Sequence, residues 1–544
     1  MKRIAIFLLF CSLFTLPTLA QSDHDDHHHE DLNAAQLGTV HFPVACAQDV
    51  QNKDVQKPFE RGVALLHSFW YEEAEKEFLQ IAADDPHCAM AHWGVAMSLW
   101  HQLWNNPESQ VIAHGLAEVH KAKAAGAATP REKAYIAAIA AFYSNSRKLD
   151  HEARAKAYSD AMEKVYKSYP DDHEAAAFYA LSLLASEPHD DSTFANRKKA
   201  AAILETLFAV EPNHPGVAHY LIHSYDKPQL AELGLPAARR YAEIAPASPH
   251  ALHMPSHIFA RVGLWQEDIA SNLASIAATR KTAAMGMGGA GHQFHAMDFL
   301  FYAYMQSGRD ADARALIEEI RAMPAKHDDM YGKGYDPHAA ALAHLSALYP
   351  VEMHDWAAAA ALSPAEVRGT AEDSMIFWAR AIGSAHLHKP DDVRKDIAAI
   401  ESIHETLVKN KSEFADAVDE DRKVAQAWLA FAEGKDDDAV EALRPIADKE
   451  DSLGDEPEGV PAREMIADML LEAHRPQQAL TEYQTDLKLH PNRFDGLYGA
   501  ARAAEAAGKQ SDANEYYALL LKVCDGSTST RSELSRAREL VAQK

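Results

Sequence analysis

Long apolar runs are confined to the start of this 544-residue chain. Met1-Lys2-Arg3, the apolar stretch Ile4 to Leu16 and Thr18-Leu19-Ala20 before the polar Gln21 have the layout of a secretory leader, residues 1–20, cut near Ala20. The run is shorter than the roughly 20 residues that span a bilayer, and no later segment approaches that length without charges. No transmembrane helix is expected, and the mature chain is expected in the periplasm or outside the cell. Cys11 has no small residues just before it, which argues against a lipid-attachment cysteine. Positive charge is also scarce: 53 Lys and Arg stand against 80 Asp and Glu, a formal charge of −27, and no basic block interrupts the acidity. Nucleic acid and anionic membranes are therefore not expected partners, because each needs a concentrated basic surface to displace counterions.

Catalytic signatures are missing as well. There is no HExxH of zinc proteases, no GxSxG nucleophile elbow and no cysteine in a recognisable catalytic setting. Met285-Gly286-Met287-Gly288-Gly289 lacks the Lys-Ser or Lys-Thr of a phosphate loop and reads as a flexible insertion. Cysteines number only four, one of them in the leader. Of the rest, Cys46 and Cys88 are the expected pair, fastening HFPVACAQ to the first helical repeat; closing that loop would contribute about 4 kcal/mol in the chain-entropy model. Free thiols are the alternative, and Cys524 is left over.

What is present falls into a polar head and a long helical body. Residues 21–54 are an arm and N-terminal segment in which Gln21 to Gln36, including DHDDHHHED, are expected to be disordered; His24, His27, His28 and His29 there are either a solvated tail or a weak metal-gathering arm. From Val55 the sequence is helical and repetitive. Ala74, Phe78 and Pro86 fall 12, 16 and 24 residues after Gly62. Similar sets recur at Ala200, Leu204, Leu207 and Pro212, at Ala237, Tyr241, Ile244 and Pro249, and at Ala501, Ala513, Tyr517 and Leu520. This spacing resembles the tetratricopeptide repeat (TPR), a 34-residue helix-turn-helix unit in which small residues permit close approach, an aromatic packs behind them and Pro closes the unit. The resemblance covers Val55 to about Val523 and implies an all-α, right-handed superhelical solenoid with one helix of each pair lining a concave groove. Turn formers divide it into repeats over 55–323, an irregular connection over 324–370, repeats over 371–528 and a capping helix over 529–544. LHSFWYEEAE, WGVAMS and HMPSHIF also resemble segments of a group of secreted bacterial TPR proteins; that resemblance supplies no reaction.

Histidines carry the chemistry. His219 and His253 are 34 residues apart, as are His223 and His257, so the repeat lays them at one depth on adjacent helices. Within each pair a spacing of four puts both imidazoles on one helix face. His292 and His295 open the next such helix, with Asp298 following. The expectation is that His219, His223, His253, His257, His292, His295 and Asp298 supply a site for zinc, copper or iron. A structural hydrogen-bonded ladder and direct contact with a ligand are the alternatives. Pro255 is compatible with this only in the first turn of its helix. A second set, His67, Trp93, Met97, Trp100 and His101, is either an aromatic shelf lining the groove or ordinary interhelical packing. His386 and His388 read as surface or loop residues.

The leading functional expectation is an exported solenoid that binds a protein, peptide or small ligand in its groove, with a histidine-held metal. A metal-dependent hydrolase or oxidase and a pure scaffold are the alternatives.

Overall fold

A computed structural model describes residues 32–46, 55–103, 106–289, 291–324, 336–364, 370–412, 414–454 and 459–542. The leader, the histidine run at 24–29 and the turn formers at 325–335 lie outside the described residues. Every regular element among the described residues is a helix and none is a strand. No described helix is long and apolar enough to cross a membrane.

The chain is an all-α solenoid of TPR-like helix pairs, and the small-residue and aromatic positions explain how the pairs close. A Cβ added to Gly62 or Gly94 would lie 2.8 or 2.3 Å from the Phe78 ring, so only hydrogen fits on either side of that aromatic. Gly115 meets Tyr143 in the same way at 2.2 Å, and Gly499 meets Tyr483 at 2.3 Å. Helix starts follow from local chemistry. Thr129 and Glu132 form a capping box ahead of Pro130, and Ser248 caps a helix opened by Pro249.

The end of the tract expected to be disordered is instead a short helix, Ala34–Leu37, closed by an Asn33–Gln36 capping box with Leu37 buried, and residues 33–46 run back over the first repeats. Thr39 N–H donates to the Asn213 carbonyl at 2.9 Å, and the Ala45 amide donates to Glu132 at 2.7 Å. Phe42 enters the core edge-on to Phe59 and Trp93, each at 5.3 Å between centroids. Cys46 and Cys88 are joined by a disulfide, which ties the end of this strap to the start of the Ala89–Ser98 helix. Cys524 is a buried free thiol.

Buried apolar residues form two clusters, one from Leu37 to Phe259 and the other from Ala260 to Ala537. The later repeats fold back on the middle of the chain. Lys227 donates to the Gly454 carbonyl at 2.8 Å, Trp265 Nε1 to the Asn492 carbonyl at 2.9 Å, and Phe494 N–H to Gln306 at 2.9 Å. Arg493 is buried between Glu352 and Glu464, with 2.8 Å contacts to each, and so pins three helices to one cation. Within 324–370, Asp336 caps a 16-residue helix, Pro337–Glu352, whose Leu345 and Leu348 join the second cluster, so that part of the stretch is a packed element of the array. His386 also departs from its expected place. It ends the Asp373–His386 helix stacked on Trp356 at 3.7 Å, with only 5% of its side chain exposed.

Candidate metal centre

The histidines gather where the two apolar clusters meet. Three elements bring them there: the Pro215–Tyr225 helix, the run formed by the Pro249–His253 and Pro255–Arg261 helices, and the Gly291–Gln306 helix. Pro255 stands at the first position of its helix, where a missing N–H costs little, and the run continues helically through Met254. His253 and His257 therefore remain on one face.

Two sets of three imidazoles result. His219, His223 and His250 form one, and His253, His257 and His295 form the other; within each, the ligand nitrogens lie within 4.8 Å of one another. In the first, His219 Nε2 is 3.0 Å from His250 Nε2 and 3.1 Å from His223 Nε2. In the second, His253 Nε2 faces His257 Nε2 at 3.0 Å. Phe69 packs on the first set, 4.3 Å from His219 between ring centroids, and Phe299 packs on the second, 4.5 Å from His257.

The outer nitrogens fix the protons. His219 Nδ1 lies 2.6 Å from the His67 carbonyl, which can only accept, so Nδ1 carries the hydrogen and Nε2 a lone pair. His257 Nδ1 lies 2.8 Å from Asp226 Oδ2 and donates to it. Burial works against an ionised Asp226, but Arg261 and His257 hold its carboxyl well below the usual range. His253 Nδ1 meets Asn272 Oδ1 at 2.7 Å. The Asn272 amide nitrogen donates to the Asp268 carbonyl at 3.1 Å, so its oxygen must be the atom facing His253, and His253 must donate. With both Nδ1 atoms donating outward, His253 and His257 present their Nε2 atoms to each other across 3.0 Å, where a cation shared between the two nitrogens fits. Burial, reinforced by the neighbouring imidazoles, pushes His219 and His295 down to about 3 and holds His223, His250 and His253 well below the usual imidazole range. These rings are neutral at pH 7 and can offer lone pairs.

A third set has the opposite logic. His67 Nε2 and His214 Nε2 meet the two oxygens of Glu174 at 2.8 and 3.0 Å. His214 Nδ1 accepts the Val217 N–H and His67 Nδ1 meets the Tyr220 hydroxyl at 2.8 Å, so both Nε2 atoms can donate to the carboxylate. Burial alone would raise Glu174, yet His214 and His67 hold it well below the usual carboxylate range. Every polar atom of this set has a protein partner, and its work is structural.

Of the residues expected at the metal site, His219, His223, His253, His257 and His295 fall into the two sets. They do not converge as one group of four from equivalent repeat positions, because each i, i+4 pair recruits its third ring from another helix. His292 lies beside the first set, 5.0 Å from His250 between centroids. Asp298 points elsewhere, to His344 Nδ1 at 3.4 Å on the Pro337–Glu352 helix, and belongs to neither set. His250 was not among the expected residues, although its spacing of three from His253 places it one turn away. Glu174, His214 and Asn272 carried no sequence signal, since their partners are 19 to 107 residues distant. His67, Trp93, Met97 and Trp100 do not form an open shelf: all four are buried, Trp100 stacked on Phe142 at 3.6 Å. His101 stacks on Tyr71 at 4.4 Å. The glycine-rich 285–289 segment is held near the site, its Gly288 amide donating to Glu73 at 2.8 Å and its carbonyl accepting from Trp70 at 3.2 Å.

No family model and no curated protein matches this chain. Among solved structures it is similar to a human IFIT1 dimer with m7Gppp-AAAA, at 14% identity and a TM-score of 0.34, over 85% of this chain and 95% of that one. It is also similar to the P58(IPK) TPR domain, at 13% identity and a TM-score of 0.21, over 68% and 99%, respectively. A third is the APC/C hetero-tetramer Cut9-Hcn1, at 13% identity and a TM-score of 0.33, over 84% and 79%.

Proposed function

We propose that this chain is an exported metal-binding repeat protein whose two tri-histidine sets hold transition-metal ions, while the surrounding solenoid receives a protein, peptide or small ligand. The observation that carries the metal assignment is the His253–His257 contact. Both Nδ1 atoms donate to acceptors outside the pair, which leaves the two Nε2 atoms facing each other at 3.0 Å and placed to share a cation. Nitrogen donors of this kind suit zinc, copper or iron, and Asp226 and Asn272 hold the rings in the tautomer that a metal needs. Export rests on the leader read in residues 1–20, and the partner class rests on the repeat architecture.

A metal-dependent hydrolase or oxidase is the second reading, and the ligand count favours it. Three protein ligands per ion leave a coordination position for water or substrate, as closed four-ligand structural sites do not.

The test is elemental analysis of the full chain with His24, His27, His28 and His29 changed to alanine, so that the tail cannot contribute. Stoichiometric metal in this parent, reduced when His223→Ala and His257→Ala are added, is the expected result. A parent that binds no zinc, copper or iron under saturating conditions refutes the metal assignment.

A further inference from the structure

Resting on the metal reading above, we infer that the two tri-histidine sets are halves of one dinuclear copper centre. The sets are joined through a single helical run: His250 belongs to one, His253 to the other, and their ring centroids are 6.1 Å apart. On the opposite side His223 and His257 approach to 6.3 Å. No protein layer separates the sets at either point of approach, whereas the outer flanks carry Phe69 against one set and Phe299 against the other. The aromatic rings thus flank the paired sets on their outer sides, and the sets meet each other directly.

The donor set selects copper. Both sets consist wholly of imidazoles, with no carboxylate in either. Asp226 meets these rings through Nδ1 of His257, and its other oxygen is taken by Arg261 at 3.0 Å. Two divalent ions on six neutral rings would leave a large positive charge in a buried space whose nearest carboxylate is already paired, and burying uncompensated charge is costly. Two copper(I) ions halve that charge. Copper(I) also accepts three nitrogen donors as a complete set, whereas zinc normally requires a fourth ligand and iron prefers sites that include oxygen donors.

The experiment uses the full chain with the four tail histidines, His24, His27, His28 and His29, replaced by alanine. It is loaded anaerobically with copper(I), freed of excess, analysed for copper and then oxidised with ferricyanide for electron paramagnetic resonance. Two copper ions per chain are expected. Their copper(II) signal should either show a half-field transition or integrate to far fewer than two spins, since only ions close enough to couple do either. His223→Ala, with its helical signature checked by circular dichroism, should hold one copper with a full single-spin signal. That variant also shows that oxidation was complete. Two copper ions giving two full, uncoupled spins would overturn the dinuclear inference and leave the metal reading standing. One copper in the parent, or two zinc ions bound where copper is refused, would do the same. No metal of any kind would overturn both.

Discussion

Asp226 and His257 are held at 2.8 Å, Oδ2 to Nδ1, and the other oxygen of the same carboxylate takes Nε of Arg261 at 3.0 Å. One buried carboxylate thus fixes an imidazole tautomer and neutralises a guanidinium at once. Asp226→Asn keeps the shape and removes the charge. We expect it to weaken metal binding about 10- to 100-fold, the usual consequence of losing a partner behind a ligating imidazole. Titration against a competing chelator measures this, with circular dichroism to show that the helices persist. Unchanged affinity would mean that the His257 tautomer is set by something other than Asp226.

His214 belongs to the set that satisfies itself, so its loss should separate stability from metal. In His214→Ala the buried Glu174 keeps His67 and loses its second donor, and the Val217 amide loses its cap. A destabilisation of about 3 kcal/mol is expected from leaving a charged acceptor under-satisfied. Metal stoichiometry should stay at the parent value. A fall in bound metal without unfolding would make the His67–Glu174–His214 set a third binding site and overturn its structural assignment.

The repeat packing predicts a steric penalty at a position remote from these ligands. In Gly94→Ala the new Cβ would lie 2.3 Å from the Phe78 ring, which Gly62 already confines from the other side. Neither neighbour can retreat far, so overpacking should cost about 1–3 kcal/mol. Gly459→Ala, where a Cβ meets nothing within 4 Å, is the control and should be near neutral. Thermal unfolding distinguishes them, and equal melting temperatures would show that the first helix pairs have slack.

The same packing explains what could be read from the chain alone. Gly62, Ala74, Phe78 and Pro86 act within one helix pair, so their spacing exposes the repeat directly. The histidine pairs at 219/223 and 253/257 were legible for the same reason, since a spacing of four fixes a shared face. Partition into two sets was not legible. It depends on His250 turning toward the Pro215–Tyr225 helix while His253, three residues on, turns toward His295. Asp298 was assigned by proximity in sequence, yet one turn beyond His295 its carboxylate meets His344. Trp93 and Trp100 have helical spacing that fits either a shelf or a core. The strap that brings Phe42 onto Trp93 is an irregular segment with no periodicity to announce it.

Acid sensitivity should arise away from the two histidine sets. His151 caps no metal set; its ring lies against Phe142 at 5.7 Å and Trp100 at 6.3 Å between centroids. Burial, helped by the nearby Arg154 cation and opposed by Asp150, pushes its imidazole down to about 4. An unfolded histidine titrates near 6.5, so between about pH 6.5 and 4 the unfolded chain binds the extra proton. The contribution of neutral His151 is therefore complete above pH 6.5 and is lost as pH falls toward 4. His151→Gln removes the titration while keeping a polar side chain of similar reach. Between pH 7 and pH 5 the parent should lose about 1 kcal/mol more than the variant, allowing for solvent screening of a partly exposed ring. In thermal unfolding this is a narrowing of the gap between the two proteins by about 1 °C on acidification. Parallel pH profiles would show that His151 is as easily protonated in the fold as out of it, and that its contact with Trp100 and Phe142 does not exclude water.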